Sequence, residues 1–132
     1  MQPMSGIKTA PLSRKAWMAL LARGIRTPQV EPPVRRRSRR YAAALGTAWR
    51  ILCRKGHKNV ELRATLMNAS AEGVMLVCRT EVPAYVPVFI AFTSVAEEEC
   101  ALAGEVRHCT STIGGYKVGV RLRFPDSHAP VK

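Results

Sequence analysis

Arg35-Arg36-Arg37-Ser38-Arg39-Arg40 puts five arginines in six residues, and Asn68-Ala69-Ser70-Ala71-Glu72-Gly73 begins 28 positions after its end. A guanidinium pairs bidentately with a phosphate and also with the acceptor edge of a guanine. In the second segment Asn68 offers an amide donor and a carbonyl acceptor, Ser70 a hydroxyl that serves as either, and Gly73 a backbone able to take positive φ. Such a turn can read a base edge while its backbone amides face a phosphate. Together the segments suit a small phosphate-bearing guanine nucleotide. Apart they say less: an arginine hexamer alone reads as a solvated tail or a nonspecific nucleic-acid patch, and Asn, Ser and Gly build many turns for conformational reasons.

The elements between them must bring the two together. From Gly46 the apolar period becomes two, with Thr47, Trp49, Ile51 and Cys53 alternating against Ala48, Arg50, Leu52 and Arg54. Lys55 to Asn59 is a polar turn. Val60 to Met67 then sets Leu62, Ala64 and Leu66 against Glu61, Arg63 and Thr65, so the two runs read as an antiparallel hairpin. Antiparallel pairing lays the start of the first strand beside the end of the second. Arg40 lies six residues before Gly46, and at ~3.3 Å per extended residue the arginine segment can reach over the turn from Asn68 to Gly73.

Alternation resumes in Val74 to Cys78, Val86 to Thr93, Cys100 to Thr110 and Tyr116 to Phe124, with Pro87 best placed at an edge or a strand start. Six short strands with no long helix between them predict a small closed or nearly closed antiparallel barrel, because closure removes exposed edges. Before the barrel, Ser13 is an N-cap candidate for a helix from Arg14 to Gly24 that aligns Trp17, Leu20, Leu21 and Ile25 on one face. That face suits either the domain's own surface or a partner or acidic membrane. Thr27-Pro28 and Pro32-Pro33 keep the following chain extended. The expected organisation is an arm over residues 1–34, a barrel over 35–124 and a loose tail over 125–132.

Charge follows the same division. Residues 1–59 carry 14 Lys and Arg against one acid, and residues 60–132 carry 7 against 8, so the net +12 belongs to the first half and calls for an anionic partner there. The eight aromatic residues place no pair at alternate positions of one strand, which leaves no base-stacking platform and weighs against a single-strand nucleic-acid barrel, the main alternative reading. Cys53, Cys78, Cys100 and Cys109 have no finger-like spacing and suit buried thiols in a reducing cytoplasm. The longest early apolar run, Trp17 to Ala22, is too short to span a membrane, and no secretory signal core is apparent. The nine carboxylates form no acid–base or metal constellation, and His108 and Cys109 point to opposite strand faces, so no enzyme and no cofactor are expected.

The arginine run and the Asn-x-Ser-x-x-Gly turn together resemble the PilZ domain family, which carries RxxxR before the first barrel strand and (D/N)xSxxG between the second and third. The resemblance spans residues 35 to 124 and takes in Gly104-Glu105-Val106 and Tyr116 to Val120 as late strands. It implies a six-stranded barrel that binds the bacterial second messenger cyclic di-GMP. A sensor of this kind, with no chemistry of its own, is expected to be read by a protein partner of unknown identity. Carried over by position, Arg36 and Arg40 contact phosphate and guanine, Asn68 and Ser70 hydrogen-bond a guanine and the neighbouring backbone, and Gly73 permits the turn. Arg35 and Arg39 satisfy the same spacing as an alternative register. A PilZ-like interaction module that no longer binds nucleotide is the remaining alternative. The family often continues into a helix after the last strand; here the helix from Arg14 is the expected cover for the open barrel end.

Overall fold

In the computed structural model, residues 9–26 and 45–125 are described, with residues 24–26 described by their backbone alone. A helix, α1 (Arg14–Arg26), precedes six strands: β1 (Gly46–Lys55), β2 (Lys58–Ala69), β3 (Gly73–Cys78), β4 (Pro87–Ser94), β5 (Glu99–Thr112) and β6 (Gly115–Arg123). All pairings are antiparallel, and the order β1-β2-β3-β6-β5-β4 closes on itself through β1 and β4. The expected closed six-stranded barrel is therefore the observed architecture. Pro87, which cannot donate to a ladder, is the first residue of β4.

The inward side chains form one apolar core, including Ile51, Leu76, Ile90, Leu102, Val106 and Val118, all fully buried. The expected alternation in β1 fails at its start. Pairing with β4 slips between Thr47 and Arg50, where Ala48 takes φ 58°, so a bulge leaves Thr47 exposed while Trp49 points inward. Leu52, expected on the solvent side, is also buried, in an outer-wall patch with Ala91 and Ala101. The turns are shorter than the sequence suggests. β1 and β2 are joined by Gly56 and His57 alone, and Asn68 and Ala69 extend β2.

Both ends of the barrel are stoppered. At one end lie the start of β1, the β2–β3 turn and the end of β6, and α1 covers it. Ser13 caps the helix as expected, its Oγ accepting from the Ala16 amide at 3.1 Å. Trp17 is fully buried with its ring edge-on to Phe92, centroids 6.4 Å apart, and Phe92 stacks on Trp49 at 4.1 Å. Leu12, Leu20 and Leu21 pack against the same core. The apolar helix face thus meets the domain's own barrel, and α1 runs two residues past the expected Gly24; the placing of the Ile25 side chain lies outside the described residues. At the opposite end the crossing from β3 to β4 inserts Val82, also fully buried.

The cysteines carry no disulfide; Cys53, Cys78 and Cys100 are buried and Cys109 is partly so. Burial pushes all three buried thiols above the ordinary cysteine range. These three are expected to stay unreactive to a water-soluble disulfide reagent at neutral pH until the protein is unfolded, and fast native-state labelling of any of them would contradict the packing described.

Candidate functional site

The β2–β3 turn is a three-residue connection, Ser70 to Glu72, closed by the Ser70 amide donating to the Gly73 carbonyl at 2.8 Å. The Ser70 hydroxyl donates to the Gly73 carbonyl and accepts from the Glu72 amide, each at 3.4 Å. Both are long for a hydroxyl, whose bonds centre near ~2.7–2.8 Å, so the group can exchange them for a better partner. The Ser70 carbonyl is firmly held: it accepts the Trp17 indole N–H at 2.9 Å. The turn is therefore fastened to the stoppering helix by its backbone, while its side chain stays available.

Gly73 differs from expectation. It has no positive φ; its role is a close approach, since a Cβ there would lie 2.9 Å from the Val120 carbonyl oxygen on β6. A side chain at this position would push β3 off β6 where the turn begins.

Asn68, Ser70 and Gly73 line one groove of about 320 Å³ on the outer wall of β2, β3, β6 and β5, with Glu72, Val74, Met75, Arg107, His108, Gly119, Val120 and Arg121. Two bulges flank it. Pairing slips between Leu66 and Asn68 on β2 and between Val106 and His108 on β5, so Met67 and Arg107 are the extra residues. Bulges re-aim the residues that follow them. Beside the groove, Arg123 donates to the Glu105 carboxylate at 2.6 Å, and this bond, with Arg107 and Arg121 close by, holds the Glu105 carboxyl below the ordinary carboxylate range. Arg107 reaches the same carboxylate only at 3.7 Å, and among the described residues no carboxylate pairs with Arg121.

The sequence of residues 34–130 matches the model of the PilZ domain. The chain belongs to the PilZ domain family. No curated protein and no solved structure matches it. PilZ domains are in general cyclic di-GMP-binding and adaptor domains rather than enzymes. Of the residues this PilZ chain was expected to use, Asn68, Ser70 and Gly73 meet in the groove. Arg36 and Arg40, and the alternative pair Arg35 and Arg39, lie outside the described residues. The chain nevertheless enters β1 at Leu45 and Gly46, on the same barrel end as the β2–β3 turn. Sequence reading missed Arg107, His108, Arg121 and the floor residue Gly119, all on late strands of the PilZ barrel. The signal for them is register, which is visible only once the strands are paired. Among the described residues no helix is long and apolar enough to cross a membrane, and no cluster of His, Cys, Asp and Glu could hold a metal ion.

Proposed function

We propose that this PilZ domain binds cyclic di-GMP in the groove beside the β2–β3 turn, with the arginine arm folding over the ligand. The observation that carries this reading is the convergence of Asn68, Ser70 and Gly73 in one groove at the barrel end where the arm enters. Arg40 lies six residues before Gly46, a reach of up to ~20 Å when extended, enough to return over that turn. Arg36 and Arg40 then take phosphate and a guanine edge, Asn68 takes a guanine, and the Ser70 hydroxyl turns from its two long contacts towards the ligand. The arm exchanges its conformational freedom for charge-assisted hydrogen bonds, and the surface it covers becomes the signal that a protein partner reads. The protein supplies no chemistry of its own.

Calorimetric titration with cyclic di-GMP, against GTP and a random oligonucleotide, tests this directly. Micromolar or tighter binding of cyclic di-GMP alone is expected. Ser70→Ala should weaken it on the order of tenfold without loosening α1, because the Trp17 bond goes to a backbone carbonyl. Tighter binding of the oligonucleotide, with a steep salt dependence, would replace this reading with nucleic-acid binding. Absence of binding by the folded protein would leave an interaction module without a nucleotide.

A further inference from the structure

The barrel closes, yet β2 has 12 residues and its neighbour β3 only 6. Pairing between them stops at Ala64 and Cys78, so the stretch from Lys58 to Arg63 is laddered to β1 alone. The turn before it decides which backbone groups that leaves open. Gly56 and His57 form a two-residue loop with Gly56 at φ 62°, and the pair flanking such a loop, Lys55 and Lys58, exchanges both its hydrogen bonds. Bonding to β1 therefore falls on Lys58, Val60 and Leu62. The N–H and C=O groups of Asn59 and Glu61 point the other way, and among the described residues no backbone pairs with them.

This edge faces a groove one strand wide. β3 lies between β2 and β6, which sets those two strands about 9–10 Å apart. At Arg79 the chain leaves that line and crosses the barrel end to Val82, whose amide donates to Cys109 Sγ on β5. Between β2, the end of β3 and Gly114 of the β5–β6 turn lies a groove of about 620 Å³, lined by Arg63 and Arg79 among others. The inward residues of β2 register the change of neighbour. Leu66, beside β3, is buried, whereas Val60 and Leu62 are only half-buried.

The charge around the groove has one sign. Residues 54–63 hold Arg54, Lys55, Lys58 and Arg63 against Glu61 alone, and Glu61 lies beside Arg50, its carboxylate 4.0 Å from Nε. Arg63 and Arg79 adjoin across the two strands, each one residue beyond the final pair, and both are exposed. Among the described residues no carboxylate pairs with either. Like charges side by side on neighbouring strands repel, and an anion between them would offset that cost. Charges on an open edge also keep a neutral or basic strand away while admitting an acidic one.

We infer that the β2 edge from Asn59 to Glu61 is a docking site for a protein partner, which adds an extended acidic segment as a strand where β3 leaves off. Backbone bonds to Asn59 and Glu61 supply the grip, apolar side chains of the segment cover Val60 and Leu62, and its carboxylates meet Arg63 and Arg79. A second copy of this chain offers no such segment among the described residues. Its acidic run, Glu97 to Glu99, is held at the β4–β5 turn, where Glu97 has φ 63° and the Ser94 and Glu97 amides donate to Glu98 and Ser94 carbonyls at 2.8 Å. The edge lies away from the α1 end, so docking leaves the nucleotide groove and its arm untouched.

Amide exchange measured by NMR on the full chain, free and with a capped peptide of alternating Glu and Val, tests this. In the free chain the amides of Asn59 and Glu61 are expected to exchange fast while those of Val60 and Leu62 exchange slowly. The peptide should slow the first pair about tenfold or more. The same peptide methylated on its backbone nitrogens, or carrying Lys in place of Glu, should not. The double variant Arg63→Glu, Arg79→Glu should bind the Glu–Val peptide about tenfold more weakly or worse at an unchanged melting temperature. Slow exchange at Asn59 and Glu61 in the free chain, no protection by the Glu–Val peptide, or equal protection by the methylated one would overturn the docking site. Protection that grows as the free chain is concentrated would make the occupant a second copy and overturn the acidic partner. None of these outcomes requires cyclic di-GMP.

Discussion

Trp17→Ala should remove about 3–5 kcal/mol of folding free energy, the range for truncating a large buried aromatic. Small domains are stable by only ~5–15 kcal/mol, so the variant would lose a large share of its margin and melt on the order of 10–20 °C lower. The size follows from where the ring sits. Trp17 closes the barrel end, edge-on to Phe92, which itself stacks on Trp49, so truncation opens a cavity beneath a helix otherwise tethered by Leu12, Leu20 and Leu21. It also leaves the Ser70 carbonyl without its indole donor. Trp17→Phe separates the two contributions: most of the apolar surface remains while the hydrogen bond goes, for a loss of about 1–3 kcal/mol. Thermal and urea unfolding followed by circular dichroism would give both values. A Trp17→Ala protein that melts with the wild type would show that α1 is no part of the folded barrel.

The barrel was legible because each strand keeps period two over enough residues to show an apolar face, and because six such runs without intervening helices have few ways to bury their edges. The stoppering helix was legible from Ser13 and the spacing of Trp17, Leu20 and Leu21. What escaped was whatever depends on partners distant in sequence. Period two cannot foresee the bulge at Ala48 that turns Thr47 outward, nor the slips at Met67 and Arg107 that shape the groove. Gly73 read as a turn glycine because Asn-x-Ser-x-x-Gly looks like turn chemistry; its function is to let β3 approach the β6 backbone, and β6 lies over 40 residues further on. Val82 carries no local sign that it plugs a barrel end. Charge misled by averaging: residues 60–132 are almost neutral, yet pairing gathers Arg107, Arg121 and Arg123 around the single carboxylate of Glu105.

Replacing both Arg36 and Arg40 by Ala should weaken cyclic di-GMP binding at least a hundredfold and leave the melting temperature unchanged. The two outcomes belong together. A hydrogen bond to a charged group contributes about 1.5–3 kcal/mol, so two arginine–ligand contacts amount to roughly two to four powers of ten in affinity. The barrel, by contrast, draws its stability from the Trp17 end, the Val82 end and the inward faces of the six strands β1 to β6. Stability and ligand affinity should therefore separate by residue: Trp17→Ala damages the fold, and the arginine pair damages recognition alone. The pair Arg35→Ala and Arg39→Ala, measured in parallel, decides the register, since only the pair that meets the ligand should show the large loss. If neither pair alters the affinity measured by calorimetry, the arm stays away from the ligand, and the groove walls of Asn68, Ser70, His108 and Arg121 must hold it without the arginine run.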